Sequence, residues 1–212
     1  MRKTDTHPLF TASAWLLQHL SYRLCRWYFF RLQDWTINAS PLMRQVHKPV
    51  ILATAPHLSH SDVIIVPASI PLRLLPVRWL ADRKIFNNRL KTLWFKLWGA
   101  IPINRDPSGS FEPDDIRWIL EFAQQGKCIG VFPECCLVGG PFGDPHRDLV
   151  VSALKRGISV LPVGLVRDTR TPQLHFLSSA EHKSQVSIGD PLSDAADLLD
   201  ALVSECLPQT DA

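Results

Sequence analysis

The chain lacks any run of about 20 consecutive apolar residues, so no segment reads as a transmembrane span. A clean signal peptide is missing too. Arg2 and Lys3 precede Leu9-Phe10 and the run Ala12 to Leu20, but Gln18 and His19 interrupt that run and no small-residue cleavage site follows. Cysteine is sparse and unpatterned. The five present (Cys25, Cys128, Cys135, Cys136 and Cys206) are odd in number and lack zinc-type C-x-x-C spacing. Reduced thiols in a cytosol-facing protein are the simplest account. The adjacent Cys135-Cys136 pair makes neither a zinc site nor a ready disulfide, and reads as small, semi-apolar lining. No strong serine or cysteine nucleophile motif, RNA- or DNA-binding motif, internal repeat or low-complexity tract is found.

What is present is a core-forming composition: 212 residues, 46% hydrophobic, with 7 Trp and 10 Phe. That is enough for one domain with a full core, and it excludes a disordered chain. Charge is lopsided. Residues 1–110 carry 15 Lys and Arg against 5 Asp and Glu; residues 111–212 carry 8 against 15, and the halves combine to the net +3. A basic half predicts an anionic partner: phosphate groups, an acidic membrane surface or nucleic acid. The acidic second half and the missing motif argue against nucleic acid.

Along the chain, residues 9–35 read as a helix in which Trp15, Leu16, Leu20, Leu24, Trp27 and Trp35 interleave with Arg23, Arg26 and Arg31. Such a helix suits a membrane interface, or packs on the domain with its arginines in water. Residues 50–55 read as a buried strand, Ser59 to Ser69 as a helix, Leu74 to Trp79 as a short strand, and 83–98 as a helix ended by Gly99. Ile101 to Ile103 is a brief extended piece. A helix over 113–125 opens on Pro113, with Asp114 and Asp115 in its first turn. Cys128 to Phe132 is a strand, 137–148 a Gly- and Pro-rich loop, Leu149 to Lys155 a helix and Ser159 to Val166 a strand. Pro162 within that last strand predicts a bulge or an edge. Strands over 173–177 and 185–188 and a helix over 193–206 close the chain. The alternation predicts an α/β fold, a mostly parallel sheet flanked by helices.

Four blocks are candidates for chemistry. In Pro56-His57-Leu58-Ser59-His60-Ser61-Asp62, a carboxylate five residues from an imidazole makes a general base. Ser59 and Asp62 also fit a capping box, and His57, His60 and Asp62 a partial metal site. In Gly99 to Arg105, Arg105 just past a strand offers a bidentate fork to phosphate, or pairs with Asp106. Val131-Phe132-Pro133-Glu134 ends a strand on an acid, and Val160 to Gly164 carries the strand proline. A base without a protein nucleophile points to a substrate that supplies the attacking group.

The order of these blocks resembles the lysophospholipid acyltransferases, the family that includes lysophosphatidic acid acyltransferase. That family carries H-x4-D, then G-x-x-x-I-x-R, then F-P-E-G-T-R, then a V-x-P-V strand. Here they are His57…Asp62, Gly99…Ile103-Asn104-Arg105, Phe132-Pro133-Glu134 and Leu161-Pro162-Val163. Lys84 and Gly189-Asp190-Pro191-Leu192 also look like family patterns, and the resemblance spans roughly residues 48–195.

It implies an acyltransferase domain over 46–212 preceded by an amphipathic, membrane-interface helical segment over 1–45. The implied enzyme is an O-acyltransferase of phospholipid or membrane lipid biosynthesis. It would move a fatty acyl group from acyl-CoA or acyl carrier protein to a hydroxyl of a lysophospholipid-type acceptor. The thioester is a co-substrate, and neither cofactor nor metal is implied. His57 would be the general base and Asp62 its orienting partner. Arg105 would bind an anionic group and Glu134 would help hold the acceptor, with Ser59 and Lys84 as further substrate contacts. The implied location is peripheral, on anionic lipid at the cytoplasmic face of the inner (plasma) membrane.

Two departures stand out. Pro56 replaces the usual Asn, and Cys135-Cys136-Leu137 replace G-T-R after Glu134. Losing that arginine removes charge-assisted bonds worth roughly 1.5–3 kcal/mol each from a bound phosphate. A lysolipid or amino-acid-headed acceptor therefore fits better than glycerol 3-phosphate. Arg147 replaces the arginine if its loop folds back. The alternative from another class is a catalytically weakened lipid-binding protein of the same fold.

Overall fold

Val50–Ala55 (β2) is apolar except for Thr54 and buried at every position, a pattern that only a strand covered on both faces produces. The computed structural model describes residues 8–33, 35–55, 57, 61–104, 111–132, 147–166 and 185–193, and it places β2 in the middle of a seven-stranded sheet. The other strands are β1 (Thr36–Ala39), β3 (Val77–Asp82), β4 (Ile101–Ile103), β5 (Cys128–Val131), β6 (Ser159–Val166) and β7 (Gln185–Ile188). Their spatial order is β1-β7-β6-β2-β5-β3-β4, and every neighbouring pair is parallel except β6 with β7. The predicted α/β sheet is therefore present.

Alternate residues of β2 feed two cores. Ile51, Ala53 and Ala55 join Ile119 of α4 (Pro113–Gln124) and Leu149 of α5 (Arg147–Lys155). Val50 and Leu52 join Ile65 and Val66 of α2 (Asp62–Ser69). The period of two along the strand thus divides the helices between the faces.

Several expectations shift. The strand expected at Leu74 begins instead at Val77, because Pro76 has no N–H for a ladder, and Leu72–Leu74 is a 3₁₀ turn. The helix expected over 83–98 splits into a 3₁₀ turn, Arg83–Ile85, and α3, Arg89–Leu97. Asn88 causes the break, since its side chain accepts from the N–H groups of Leu90 and Lys91 and caps α3. Strand β1 lies within the segment read as helical and pairs with β7. Pro162 lies neither at an edge nor on a bulge. Strand β6 is interior, Pro162 pairs in regular register with Ala53, and its carbonyl accepts from Gly189 N–H just past the end of β7. The missing N–H falls where the β7 ladder stops, so it costs no interior rung. Helix α5 starts at Arg147, two residues before the predicted start. The strand expected over 173–177, and the closing helix from residue 194 on, lie outside the described residues.

Helix α1 (Pro8–Trp27), continued by a π-helical turn at Tyr28–Leu32, is pinned to the sheet by polar groups. Strand β4 pairs with β3 only from Leu80 onward, which leaves the backbone of Val77 without a strand on that side. Gln18 takes the strand's place. Its Nε2 donates to the carbonyls of Val77 and Trp98 at 2.9 Å each, and its Oε1 accepts from Val77 N–H at 2.8 Å. Arg78, 1% exposed, donates from Nε to Gly99 O and from Nη1 to Thr11 Oγ1, and its guanidinium lies over the Phe122 ring. Burial pulls its pKa down to about 10, so it stays charged at neutral pH. Gly99 ends α3 at φ +96°, and a Cβ there would come within 3.1 Å of the Ala14 Cβ. Both the turn and the close approach of α1 need glycine.

The clamp makes a stability prediction. Gln18→Leu orphans one buried N–H and two carbonyls, each such group costing about 1–3 kcal/mol. Thermal denaturation should show a loss of about 3 kcal/mol, or roughly 6–12 °C in Tm for a chain of this size. An unchanged Tm would show that Gln18 does not hold α1.

Candidate active site

Because β2, β5, β3 and β4 are mutually parallel, their carboxyl ends share one edge of the sheet. At β2 the chain order diverges: it leaves through α2 towards β3 on one side and later returns through α5 to β6 on the other. Such switch points leave a crevice beyond the strand ends, where ligands of open α/β sheets bind.

His57 lies there, two residues beyond Ala55, and Asp62 is the first residue of α2. Nδ1 of His57 is 3.1 Å from Asp62 Oδ2. The Asp62 side chain is 0% exposed and that of His57 17%, so the carboxylate is sealed and the ring still reaches solvent. The ionised carboxylate accepts, hence Nδ1 carries the hydrogen and Nε2 is the basic nitrogen of the neutral ring. The carboxylate also stabilises the imidazolium formed when Nε2 takes a proton.

At the start of α2, Ser61 is the N-cap residue, its backbone carbonyl accepts from the N–H groups of Ile64 and Ile65 at 2.9 Å, and the Asp62 carboxylate reaches His57. Ser59, the other half of the capping-box alternative, lies outside the described residues. Among the described residues no group of three His, Cys, Asp or Glu side chains is placed to hold a metal ion. His60 lies outside them.

Of the other expected site residues, Arg105, Glu134 and Ser59 lie outside the described residues, as do Cys135, Cys136 and Leu137. Lys84 is exposed, just past the carboxyl end of β3, in a turn held by its N–H donating to Asp82 Oδ1. It makes no hydrogen bond or ion pair with His57 or Asp62. Arg147 is the first residue of α5 rather than part of the preceding loop. Helix α5 crosses from β5 to β6, so its N-terminus lies at the same carboxyl edge.

Sequence reasoning missed two supports. Asn104, next to Arg105, is held from both sides: its N–H donates to Asp115 Oδ2 at 3.0 Å, and its Oδ1 accepts from Arg83 Nε at 2.8 Å. This fixes where the chain leaves β4. Asp115 read only as an acid suited to a helix N-terminus, yet it is 3% exposed, and burial of a carboxylate requires such a partner.

The second support is aromatic. Phe132, directly after β5, stacks on His57 with ring centroids 3.9 Å apart and planes inclined by 21°. Trp79 stacks on the other ring at 4.9 Å and 12°. The apolar pattern marks both residues as strand members without showing what they touch.

Thiol chemistry is absent from this edge among the described residues. Cys128 is fully buried at the opposite end of β5 and its pKa is pushed up to about 12, which keeps it protonated. Burial also raises that of Cys25 on α1.

The family model described as Acyltransferase matches residues 38–166, which include both members of the His57–Asp62 pair, Phe132 and Trp79. The chain belongs to the acyltransferase family. Among solved structures, this acyltransferase is similar to the 1-acyl-sn-glycerophosphate (LPA) acyltransferase PlsC from Thermotoga maritima. The TM-score is 0.54 at 14% identity, covering 88% of this chain and 77% of that one. The likeness is one of fold. No curated protein matches.

Proposed function

We propose that this acyltransferase moves a fatty acyl group from acyl-CoA or acyl carrier protein to a hydroxyl of a lysophospholipid-type acceptor in membrane lipid synthesis. The observation that carries the reading is the imidazole held by a sealed carboxylate at the switch point. His57 Nε2 takes the acceptor's hydroxyl proton as that oxygen attacks the thioester carbonyl carbon. The tetrahedral intermediate collapses, the carbon–sulfur bond breaks, and the imidazolium returns the proton to the leaving thiolate. The products are an ester and a free thiol, and Asp62 remains ionised throughout. Arg105, whose neighbour Asn104 is clamped, binds the acceptor's anionic group, with Glu134, Ser59 and Lys84 as further acceptor contacts. Arg147, opening α5 at this edge, takes the place of the arginine lost at Leu137. The acceptor class rests on the family's motif order and on the lipid acceptor named for the similar fold. With Cys135-Cys136-Leu137 in the third block, a lysolipid or amino-acid-headed lipid fits better than glycerol 3-phosphate.

Two helices present the reaction to a bilayer. On α1, Leu9, Trp15, Leu16, Leu20, Leu24 and Trp27 are exposed. Helix α3 exposes Leu90 at 78%, Trp94 at 57% and Leu93. The helices touch where Ser13 Oγ donates to Leu97 O and Lys96 lies over the Phe10 ring. Exposed Arg23, Arg31, Arg89 and Lys91 flank the apolar residues. No helix among the described residues is long and apolar enough to cross a membrane. The exposed apolar residues and their flanking cations support an interfacial position on anionic lipid, with tryptophans and leucines in the acyl boundary and cations at the headgroups. Cytosolic thioester donors support the cytoplasmic face of the inner membrane as its location.

Radiolabelled acyl-CoA with a mixture of lysolipids should yield labelled diacyl product, and His57→Ala should lower turnover by at least about 10²-fold, the share of a general base. Protein denatured after exposure to the donor alone should carry no covalent label. Undiminished turnover in His57→Ala refutes the assignment, and retained lipid binding without turnover in the wild type supports the lipid-binding alternative. For docking, Leu90→Ser with Trp94→Ser should weaken co-sedimentation with phosphatidylglycerol vesicles by about tenfold or more, each buried large apolar side chain being worth about 1.5–3 kcal/mol. Unchanged co-sedimentation would remove α3 from the docking surface.

A further inference from the structure

We propose that Phe132 and Trp79 form a positioning clamp that holds both members of the His57–Asp62 pair; the inference rests on reading His57 as the base. His57 lies outside regular structure, two residues beyond the end of β2. The bond to Asp62 restrains Nδ1, and a hydrogen bond at one ring atom does not by itself set the plane of the imidazole. Phe132 defines that plane by covering a face of the ring at 3.9 Å. Trp79 in turn backs Phe132, with the two planes inclined by only 12°.

Trp79 also has a second arm. Its indole Nε1–H donates to the carbonyl of Val63 at 3.1 Å, and Val63 follows Asp62 in the first turn of α2. One side chain thus supports His57 through two stacked rings and Asp62 through the backbone of its helix. The position of Trp79 is itself set by the sheet. It is paired in register with Gly130 on β5, where a Cβ would come within 2.5 Å of the indole Cε3. Only glycine at 130 lets the indole lie across β5 and reach Phe132.

The stack also bears on charge. When His57 takes a proton, the imidazolium lies face to face with the Phe132 π-cloud, an attraction the neutral ring lacks. The clamp therefore favours the proton-transfer state as well as the geometry. Ångström-scale misplacement of a reacting group costs about 10²-fold in rate, which sets the scale for losing the stack.

Three variants test this, each checked by thermal denaturation. Phe132→Leu keeps apolar volume and removes the ring. Trp79→Phe keeps a ring and removes the N–H. Gly130→Ala displaces the indole from a position in contact with neither His57 nor Asp62. We expect kcat to fall about 10–100-fold in Phe132→Leu and Gly130→Ala and about 3–10-fold in Trp79→Phe. The KM for acyl-CoA and for the lysolipid should stay within about twofold, because a positioning defect acts on the reacting geometry. On ¹³C-histidine-labelled protein, the His57 ring protons, assigned by their loss in His57→Asn, should lie upfield through the Phe132 ring current and move downfield in Phe132→Leu. If His57→Asn retains turnover, the general-base reading fails. If His57→Asn is inactive while Phe132→Leu and Trp79→Phe keep wild-type kcat and unshifted His57 protons, the clamp alone is wrong.

Discussion

The hydrogen bond between His57 Nδ1 and Asp62 Oδ2 is the constraint around which the rest of this fold is arranged. It requires the chain to leave a buried parallel strand, turn, and enter a helix within a few residues, with the carboxylate beneath the ring. That is possible because β2 is anchored on both sides, by β5 and β6, through most of its length. Helix α2 is anchored equally well, with Ile65 and Val66 in the core and the Val63 carbonyl bonded to Trp79. An ionised carboxylate with no exposed surface is costly unless it is paired, so the imidazole that Asp62 orients also compensates its burial.

A second set of buried polar contacts places the molecule rather than the chemistry. Gln18 completes the β3 backbone where β4 is too short, and Arg78 ties the sheet to α1 and to the end of α3. These contacts are directional, which apolar packing is not, so they fix the rotation of α1 about its own axis. That rotation decides which residues face outward. In the proposed enzyme the outward face meets lipid, and the carboxyl edge receives the acceptor from it.

Legibility from sequence divided along physical lines. Strand β2, the proline-led α4 and the Gly99 stop were readable because each rests on local patterning or on one residue's backbone preference. The His57–Asp62 pair was readable as a possibility, and became specific only through the order of the later blocks. Features set by pairing across the sheet were not readable. Strand β1 has four residues and borrows its stability from β7, so it left no periodic signal of its own. Pro162 misled because its tolerance depends on where β7 stops, which local sequence does not encode. The stack under His57 depends on the register that sets Trp79 against Gly130. Gln18 read as an interruption of an apolar run, and its role appears only once the short β4 leaves a gap to fill.

The proposed role of His57 as the base requires that Asp62 hold the ring with its proton on Nδ1, leaving Nε2 to accept one. Long-range ¹H–¹⁵N correlation on ¹⁵N-histidine-labelled protein at a pH where the ring is neutral reads this directly, since protonated and bare ring nitrogens resonate far apart. His57 should be the Nδ1–H tautomer in the wild type and lose that preference in Asp62→Ala. A His57 signal showing the proton on Nε2, or one indifferent to the loss of Asp62, would contradict it.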